Sequence, residues 1–590
     1  MMRTPSGMKM LTKLMLRLLP VQILLAAVGS VNGIVSSFFA ANFVGVEAMS
    51  AVGLYGPVGM LATSVSTVLV GGSAILLGKY MGRNEQEKMQ NVFSLNLTAS
   101  LIIALIFIVV FLSFGLFDLT GFLTTDSDVR PYLNQYFLGQ AIGMVPLMLG
   151  SSFASFLSIE NKGRRTLAAS LTYIVVNILL NFLFVRVFEL EAFGLALASS
   201  LGMWVFLLVQ ADVYIRKKSH FKLFGGRLNW KDLGEIFRIG LPGAAVNLYQ
   251  TLRGLIVNYL VTSFVGSAGI SAFAAANNLL GVVWAVPVGM LAVSRMMISV
   301  SVGEEDRRTL TDVMRVMFSR FVPLMCGIVA VVIVLARPLT GIFYQDPAEP
   351  VYRMTVWGLR ILPLCMPFSV INNHFTCYGQ TSGKHALIHV TSLLDGAVFV
   401  SLFTALLITR LDMNSVYVAN VLNGLCVLLV FLGYAWWKNR HFPRGMEELM
   451  VIPKDFGVPE EERIDITVRS VEEVVTVSER VQDFCLSRGI DAKNACFAAL
   501  FLEEMAGNVV EHGFTKDTKQ HTIDIRVAQK DGEVILRIRD DCVPFDPGER
   551  EKIVSPDDPV KNIGIRMVYR MAKKVEYQNI LGLNVLTIRI

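Results

Sequence analysis

Charge is scarce in this chain. Asp, Glu, Lys and Arg make up 17% of its 590 residues, where a soluble protein carries about 25%. With 53% hydrophobic residues and a mean hydropathy of +0.55, much of the chain must be solvated by lipid. Cysteine is scarce too. Four of the seven (Cys326, Cys365, Cys377, Cys426) fall in apolar spans and three (Cys485, Cys496, Cys542) in the C-terminal part, with no CxxC pair and no histidine at ligand spacing. That scatter argues against a disulfide framework and against structural zinc. No cleavable signal peptide is expected, because the first apolar segment is too long and lacks a small-residue cleavage site. The net charge of +6 is modest and concentrated in alternate loops, which points to membrane topology and away from nucleic acid.

What is present is a series of long apolar runs. A bilayer core takes about 20 mostly apolar residues per helix. Segments near 14–40, 51–78, 92–117, 131–157, 166–187 and 190–215, then 236–262, 271–300, 312–340, 352–378, 384–408 and 412–437, meet that need. Twelve spans are expected. Lys and Arg set the orientation: they gather at the N-terminus (Arg3, Lys9, Lys13, Arg17), around Lys79–Lys88, at Lys162–Arg165, at Arg216–Lys231, at Arg307–Arg308 and at Lys438–Arg444. The intervening loops hold acids, such as Glu47, Asp118, Asp126, Asp128, Glu189 and Glu191. Both termini should therefore face the cytosol of a cell membrane.

The apolar part is internally duplicated. "FVGVEAMSAVG" at Phe43–Gly53 matches "FVGSAGISAFA" at Phe264–Ala274, and the pairs Gly82/Gly303 and Pro146/Pro367 keep the same offset. Agreement in three places marks two homologous six-helix halves, an organisation common in secondary transporters, which hold substrate between the halves near mid-membrane. The halves are expected at 1–218 and 236–437, joined by a basic linker at 219–235.

The two repeat starts, "LPVQILLAAVGSVNGIVSSFFAANFVGVEAMSAVG" and "IGLPGAAVNLYQTLRGLIVNYLVTSFVGSAGISAFAAAN", resemble those of the multidrug and toxic-compound extrusion (MATE) transporters over about residues 10–440. The resemblance implies an all-α, twelve-helix bundle of two lobes in a V, which alternates access and expels amphipathic or cationic compounds against Na⁺ or H⁺. Many bacterial members have a cation-binding aspartate in the first helix. Here that stretch reads "IVSSFFAAN", with Ser36 in the place of the acid, and the first lobe has no carboxylate deep in any span. An intramembrane charge is costly and usually functional, and the second half holds three: Arg253, Arg295 and Asp395. They would pair across the lobe, let Arg253 meet an anionic substrate, or serve structure by pairing or snorkelling. Asn32, Asn177, Asn181, Asn247, Gln250, Asn277 and Asn372 are candidates for cavity lining, and equally for hydrogen bonds between helices.

Beyond 438 the sequence becomes charged. A linker with prolines at 443, 453 and 459 leads to a soluble α+β domain at 464–590. "RIDITVRS" alternates as a strand, 471–488 and 493–512 read as helices, and "HTIDIRVAQ" and "VILRIRDD" form a hairpin about Lys530-Asp531-Gly532-Glu533. A short helix near 564–574 and two closing strands follow. In "FLEEMAGNVVEHGF", Glu504 and Asn508 stand one turn apart on one helix face, a pairing that taken alone is commonly a solvated face. Asp540 ends a central strand in "RIRDDCVPFDP", and Gly564 opens the next helix in "KNIGIRMV".

That order resembles the GHKL ATP-binding fold, a two-layer α+β sandwich, and most closely its anti-sigma-factor serine-kinase branch. The resemblance implies that ATP and Mg²⁺ bind here. Asn508 would ligate Mg²⁺, Glu504 would act as general base, Asp540 would accept from the adenine amino group, and backbone near Gly564 would cradle phosphate. Glu503 lies about 100° round the helix from Glu504 and is the lesser candidate. Two positions depart from the family pattern: Cys542 stands for the glycine after the aspartate, and Asn562, a residue that tolerates positive φ, for the first glycine of the phosphate loop. Three readings stay open. The chain is a transporter tuned by nucleotide or partner, a sensor whose tail phosphorylates or sequesters a STAS-type or sigma-factor-like protein, or a transporter with a nucleotide-independent docking tail.

Overall fold

The computed structural model describes residues 5–39, 43–44, 46–83, 85–123, 127–160, 162–216, 219–223, 228–341, 344, 346–458, 460–516, 521–530, 532–551, 562–580 and 582–590. Within the helices and strands among them, the side chains of 5–9, 28–34, 36–38, 46–47, 49–50, 53, 57, 242–244, 247, 267, 278, 460, 530, 550–551 and 580 lie outside the described ones. Asn32, Ser36 and Asn247 are therefore placed in helices without any account of their side chains.

Among its described residues the membrane part is built of helices and has no strand. Its first half consists of α1 (Pro5–Phe39), α2 (Val46–Gly82), α3 (Gln86–Leu116), α4 (Arg130–Ile142), α5 (Met144–Ile159), α6 (Gly163–Asn181) and α7 (Glu191–Ile215). The second consists of α8 (Trp230–Phe264), α9 (Ser267–Gly303), α10 (Arg307–Val316), α11 (Val322–Val334), α12 (Ala336–Thr340), α13 (Pro350–Ile361), α14 (Met366–Thr381), α15 (His385–Leu393), α16 (Phe399–Leu411) and α17 (Asn414–Asn439). Among the described residues ten helical segments are long and apolar enough to cross a bilayer, and the pair α4–α5, bent by 46°, makes an eleventh. The remaining expected span, 236–262, falls in α8. It carries Arg238 and Arg253 and includes side chains outside the described ones. Several expected spans are broken by π-helical turns, at Phe182–Val187, Met317–Phe321 and Leu394–Val398. Leu105, Ile106, Val109, Val175, Leu179 and Leu406 stand exposed on this bundle, as lipid-facing side chains must.

The halves meet where the repeat predicts equivalence. The end of α2 lies against the end of α9 so closely that a Cβ on Gly82 would overlap backbone at Val300 and Gly303, and one on Gly303 would overlap the Lys79 carbonyl. The two glycines at the shared offset are thus a backbone-to-backbone contact between lobes, a close approach that any side chain would block.

The stretch after α17 is firmly seated. Its short helix α18 (Met446–Met450) and the following turn put Met450, Leu449, Ile452 and Phe456 into the main apolar core. Lys384 Nζ donates to the carbonyls of Met450 and Val451 at 2.6 and 2.8 Å, and Arg307 donates to Glu447, Phe456 and Pro453.

The soluble domain comprises β1 (Arg463–Val468), α19 (Val471–Ser487), α20 (Ala492–Asn508), β2 (Ile523–Lys530), β3 (Glu533–Asp540), α21 (Pro547–Glu551), α22 (Ile563–Met571), β4 (Lys574–Ile580) and β5 (Leu583–Arg589). Side-chain caps start the helices where the sequence offers them: Ser470 accepts from the Glu473 N–H and Asp491 from the Asn494 N–H. Gly489 (φ +75°) ends α19. The sheet is fully antiparallel in the order β1-β2-β3-β5-β4. Strand alternation buries Ile523, Ile525, Val527, Leu536 and Ile538 against Val477, Phe501 and Leu502 of the helices. The result is the expected two-layer sandwich, and the second face of its sheet turns toward the bundle.

Overpacking a close backbone contact costs roughly 1–3 kcal/mol. Gly303→Val is therefore expected to lower the thermal midpoint of the detergent-solubilised chain, followed by tryptophan fluorescence. An unchanged midpoint would show that the lobes are not held together at this contact.

Candidate functional site: a nucleotide cavity and a membrane cavity

Helix α20 runs from an Asp491 cap to Asn508 and passes into a π-helical turn at Val509–Gly513. Phe501, Leu502, Met505 and Ala506 bury one side of it. That leaves Glu503 and Glu504 at its margins, and their surroundings differ. Glu503 accepts from Ser478 Oγ of α19 at 3.3 Å. Glu504 points the other way, toward the start of α22, where a Cβ on Gly564 would overlap its Oε2. Two residues sixty positions apart in the chain are thus in contact, and only glycine at 564 leaves the carboxylate its place. Asn508 Nδ2 donates to the Glu504 carbonyl at 2.7 Å, which leaves the amide oxygen as the available ligand atom.

A cavity of about 310 Å³ opens beside them, lined by Asn508, Asp540, Cys542, Asn562, Asn584 and Tyr577 among others. It brings together four of the residues expected for ATP. Glu504 and Gly564 are not in its wall, although Asn562 and Ile565, which flank Gly564, are. Asp540 is buried at the end of β3. Its Oδ1 accepts from Asn584 Nδ2 at 2.8 Å and from the Cys542 N–H at 3.0 Å. Burial pushes this carboxyl above the usual range, against the lowering effect of those donors and of the Cys542 side chain. Cys542 therefore does more than stand for glycine: backbone and side chain both hold Asp540, while Sγ packs toward Gly513. Asn562 adopts φ +58°, the left-handed conformation at the start of α22, so asparagine supplies the geometry that glycine would.

Among the described residues, Asn562 Nδ2 is buried without a hydrogen-bond partner. A buried donor in a cavity wall suits an acceptor-rich ligand such as phosphate. Together with an acceptor carboxylate in the same wall and an amide oxygen at Asn508, the residues fit a magnesium nucleotide. Among the described residues no group of three or more His, Cys, Asp or Glu side chains is placed to hold a metal ion alone.

Sequence reasoning missed Asn584 and Tyr577. Asn584 on β5 is buried and bridges Asp540 to its neighbours. Its Oδ1 accepts from Tyr577 Oη at 2.7 Å and Asn579 Nδ2 at 3.0 Å, and Tyr577 Oη accepts from the Phe545 N–H at 3.2 Å. The one local signal was an asparagine in the closing strand at a position that alternation turns inward.

In the membrane part a second cavity, of about 500 Å³, lies within the second lobe and gathers Gln250, Arg253, Asn277, Asn372 and Asp395. Asp395 sits on the π-helical turn Leu394–Val398 and accepts from Asn423 Nδ2 at 2.8 Å. Among the described residues its hydrogen-bond partner is Asn423, not Arg253. Asn372 donates to the Gly424 carbonyl at 3.0 Å. Asn177 lies elsewhere. It is buried in the first lobe, where it donates to Ser199 on α7 and accepts from Asn181, a hydrogen-bonded staple between α6 and α7. Arg295 lines a separate pocket between the lobes with Gln22 and Ser299.

A duplicated helical membrane bundle that bears an ATPase-like α+β domain is the class this geometry defines. Family models make it particular. MatE matches residues 8–183 and 242–406, and the histidine kinase-like ATPase domain matches 467–590. The chain belongs to the MatE family, as a multi-pass membrane protein, and ends in a histidine kinase-like ATPase domain. It is 23% identical over 284 residues to the probable multidrug resistance protein NorM of Halalkalibacterium halodurans, covering 46% of this chain and 60% of that protein. It is 27% identical over 244 residues to the NorM of Neisseria meningitidis, covering 39% and 51%. To the multidrug export protein MepA of Staphylococcus saprophyticus it is 20% identical over 379 residues, covering 63% and 81%. The chain thus spans 60% or less of the length of these NorM relatives. Its fold is similar to a crystal structure of MATE in complex with MaL6 (TM-score 0.67, 19% identity, 76% of this chain and 99% of that one). It is also similar to the outward-facing conformation of a multidrug resistance MATE transporter (TM-score 0.66, 18% identity, with the same coverage).

Asp540→Asn keeps Oδ1 for both of its donors and puts an NH₂ where the second oxygen stood. Hydrogen bonds to charged groups are worth roughly 1.5–3 kcal/mol, so affinity for Mg-ATP is expected to fall at least about tenfold by calorimetry on the full chain. The sign for stability is opposite. A carboxyl raised by burial destabilises the fold once ionised, a penalty fully present at neutral pH and relieved as pH falls toward the ordinary value of about 3.9. The nucleotide-free variant should therefore melt no lower than wild type at pH 7.5. Retained affinity would remove Asp540 from recognition.

Proposed function

We propose that this chain is a MATE-type exporter of amphipathic organic compounds, driven by H⁺ or Na⁺ exchange, whose C-terminal domain binds Mg-ATP on the cytosolic side and regulates it. The observation that carries the reading is the cavity at Asn508, Asp540 and Asn562, built from three separate elements on a chain whose bundle has the MATE fold. The alternating Lys and Arg loops favour a cytosolic domain, which is where ATP is found. ATP supplies a transferable phosphoryl group whose charge Mg²⁺ offsets. In the chain, Asp540 accepts from the adenine amino group, Asn508 offers its amide oxygen to the metal, and Asn562 with the amides at the start of α22 holds phosphate. Glu504, half-buried against Gly564, is the base for an incoming hydroxyl.

For the transport half, the second-lobe cavity is the substrate-side candidate. Its one carboxylate, Asp395, lies on a π-helical turn, a deformation common at functional sites. The family resemblance puts Ser36 where an acid is common, so Asp395, the carboxylate among the described residues of this cavity's wall, is the candidate for ion coupling.

Two measurements test this. Cells producing the full chain should extrude a cationic dye, and Asp395→Asn should reduce that efflux at least about tenfold, as expected for loss of a functional intramembrane charge. Efflux unaffected by the substitution would remove Asp395 from coupling. For the soluble site, Glu504→Ala should abolish phosphate release or transfer from ATP while leaving Mg-ATP binding intact. Gly564→Ala should lower the same turnover, because its methyl group displaces the Glu504 carboxylate. Loss of binding in Glu504→Ala would mean that Glu504 holds the fold or ligand rather than acting as base.

A further inference from the structure

The sheet of the soluble domain has one face covered by helices. Its other face carries Arg526 on β2 and Arg537 and Arg539 on β3. Arg526 and Arg537 are direct cross-strand partners, and like charges in that position repel. Counter-charges come from both sides: Asp465 of β1 pairs with Arg526 at 2.7 Å, and two more carboxylates come from outside the domain. Glu304, which follows α9, accepts from Arg537 at 3.1 Å and Arg539 at 2.8 Å. Asp306, two residues on, pairs with Arg526 at 2.6 Å while capping α10 through the Thr309 N–H and hydroxyl. Both carboxylates are almost solvent-free, at 3% and 2% exposure. Arg308 reaches Asp465 of β1 at 3.2 Å, and Leu583 and Val585 of β5 belong to the membrane part's own apolar core.

The turn that the sheet grips is the one that closes the lobes, since Gly303 backs onto Lys79 and Gly82 of the first half. The domain touches the first half as well. Lys13 of α1 pairs with Asp541 at 3.0 Å, and Thr522 reaches Met10. A gap of about 510 Å³ beside the contact is walled by Met81, Gly82 and Arg83 from one lobe and by Gly303–Glu305 from the other. Strand β3 links this face to the nucleotide cavity, because Arg539 and Asp540 are neighbours that point to opposite faces.

We propose that the arginine face of this sheet is a docking surface for the Glu304–Asp306 turn of the same chain, and that it clasps the two lobes shut at the end that carries the domain. Opening at this end requires the clasp to let go. The proposal rests on the lobes moving as in the transporter reading, but not on ATP binding.

The test uses the full chain in lipid nanodiscs with spin labels at exposed Lys88, His441 and Glu479. The 88–479 pair reports docking and the 88–441 pair reports lobe separation at this end. Wild type should give one narrow distance for each. Glu304→Arg, which faces Arg537 and Arg539, should broaden 88–479 and raise the longer-distance share of 88–441 severalfold. Glu304→Gln should do so partially, which covers the case in which the arginine variant misfolds. Adding Arg537→Glu and Arg539→Glu to Glu304→Arg should restore both narrow distances. Unchanged distances in Glu304→Arg and Glu304→Gln would overturn the proposal, as would undocking without any change in 88–441. Mg-ATP titration of the same samples keeps the two readings apart: a wild type that binds no nucleotide yet shows the clasp refutes the nucleotide site alone.

Discussion

Two carboxylates, Glu304 and Asp306, stand almost without water between a membrane bundle and a soluble sheet, and the arrangement of the whole chain depends on how they are satisfied. Taking a carboxylate out of water costs several kcal/mol, and removing the partner of a buried pair is destabilising by about 3–5 kcal/mol. Burial alone would raise the Asp306 carboxyl. Arg526, then Arg539 and Arg537, outweigh that and hold it well below the usual range, while Asp306 and Asp465 hold Arg526 above its own. A depressed carboxyl contributes stability that is present above its ordinary value of about 3.9 and lost as pH falls further. Across physiological pH the pair is constant, so the contact is a structural grip and not a proton sensor. The exposed Lys13–Asp541 pair is of another kind. Lys13 is 55% exposed, and a solvated pair of that sort is worth about 0–1 kcal/mol, enough to orient the domain but not to hold it.

From this grip the rest follows in order. The arginines sit on β2 and β3, inner strands of a sheet whose opposite face holds the helices and the cavity at Asn508, Asp540 and Asn562. Strand β3 contributes to both faces: Asp540 is fixed on one by Asn584 and Cys542, and Arg539 on the other by Glu304. The segment between bundle and domain adds a second attachment. Lys384 and Arg307 bind its carbonyls, and four of its apolar side chains enter the main core, so the domain does not hang on a slack tether.

The candidate sites differ in how plainly they could be read. Asn508 and Asp540 stand out in short motifs at element ends, and the structure brings them into one cavity wall, whereas Glu504 and Gly564 meet each other outside it. Asn584 does not stand out, since an asparagine in a strand that alternates with apolar residues carries no mark of what it faces. The membrane candidates show the same limit. Gln250, Arg253, Asn277, Asn372 and Asp395 share one cavity, whereas Asn177 staples two helices, and an asparagine in an apolar span looks alike in both roles.

By itself the sequence determined the class of every large element. The runs of apolar residues required lipid, the common offset of Gly82/Gly303 and Pro146/Pro367 required two equivalent halves, and the alternation in β1–β3 required a sheet with one apolar face. These are local or periodic properties, so a one-dimensional reading reaches them. Tertiary structure alone decided which partners the polar face of that sheet would take. In the sequence Arg526, Arg537 and Arg539 lie in an alternating hairpin, and Glu304 and Asp306 lie between two apolar spans. Their meeting joins residues more than two hundred positions apart, and nothing in either stretch encodes the other. It follows only from how the bundle end and the sheet are packed, because buried charges persist only where packing brings them opposite counter-charges.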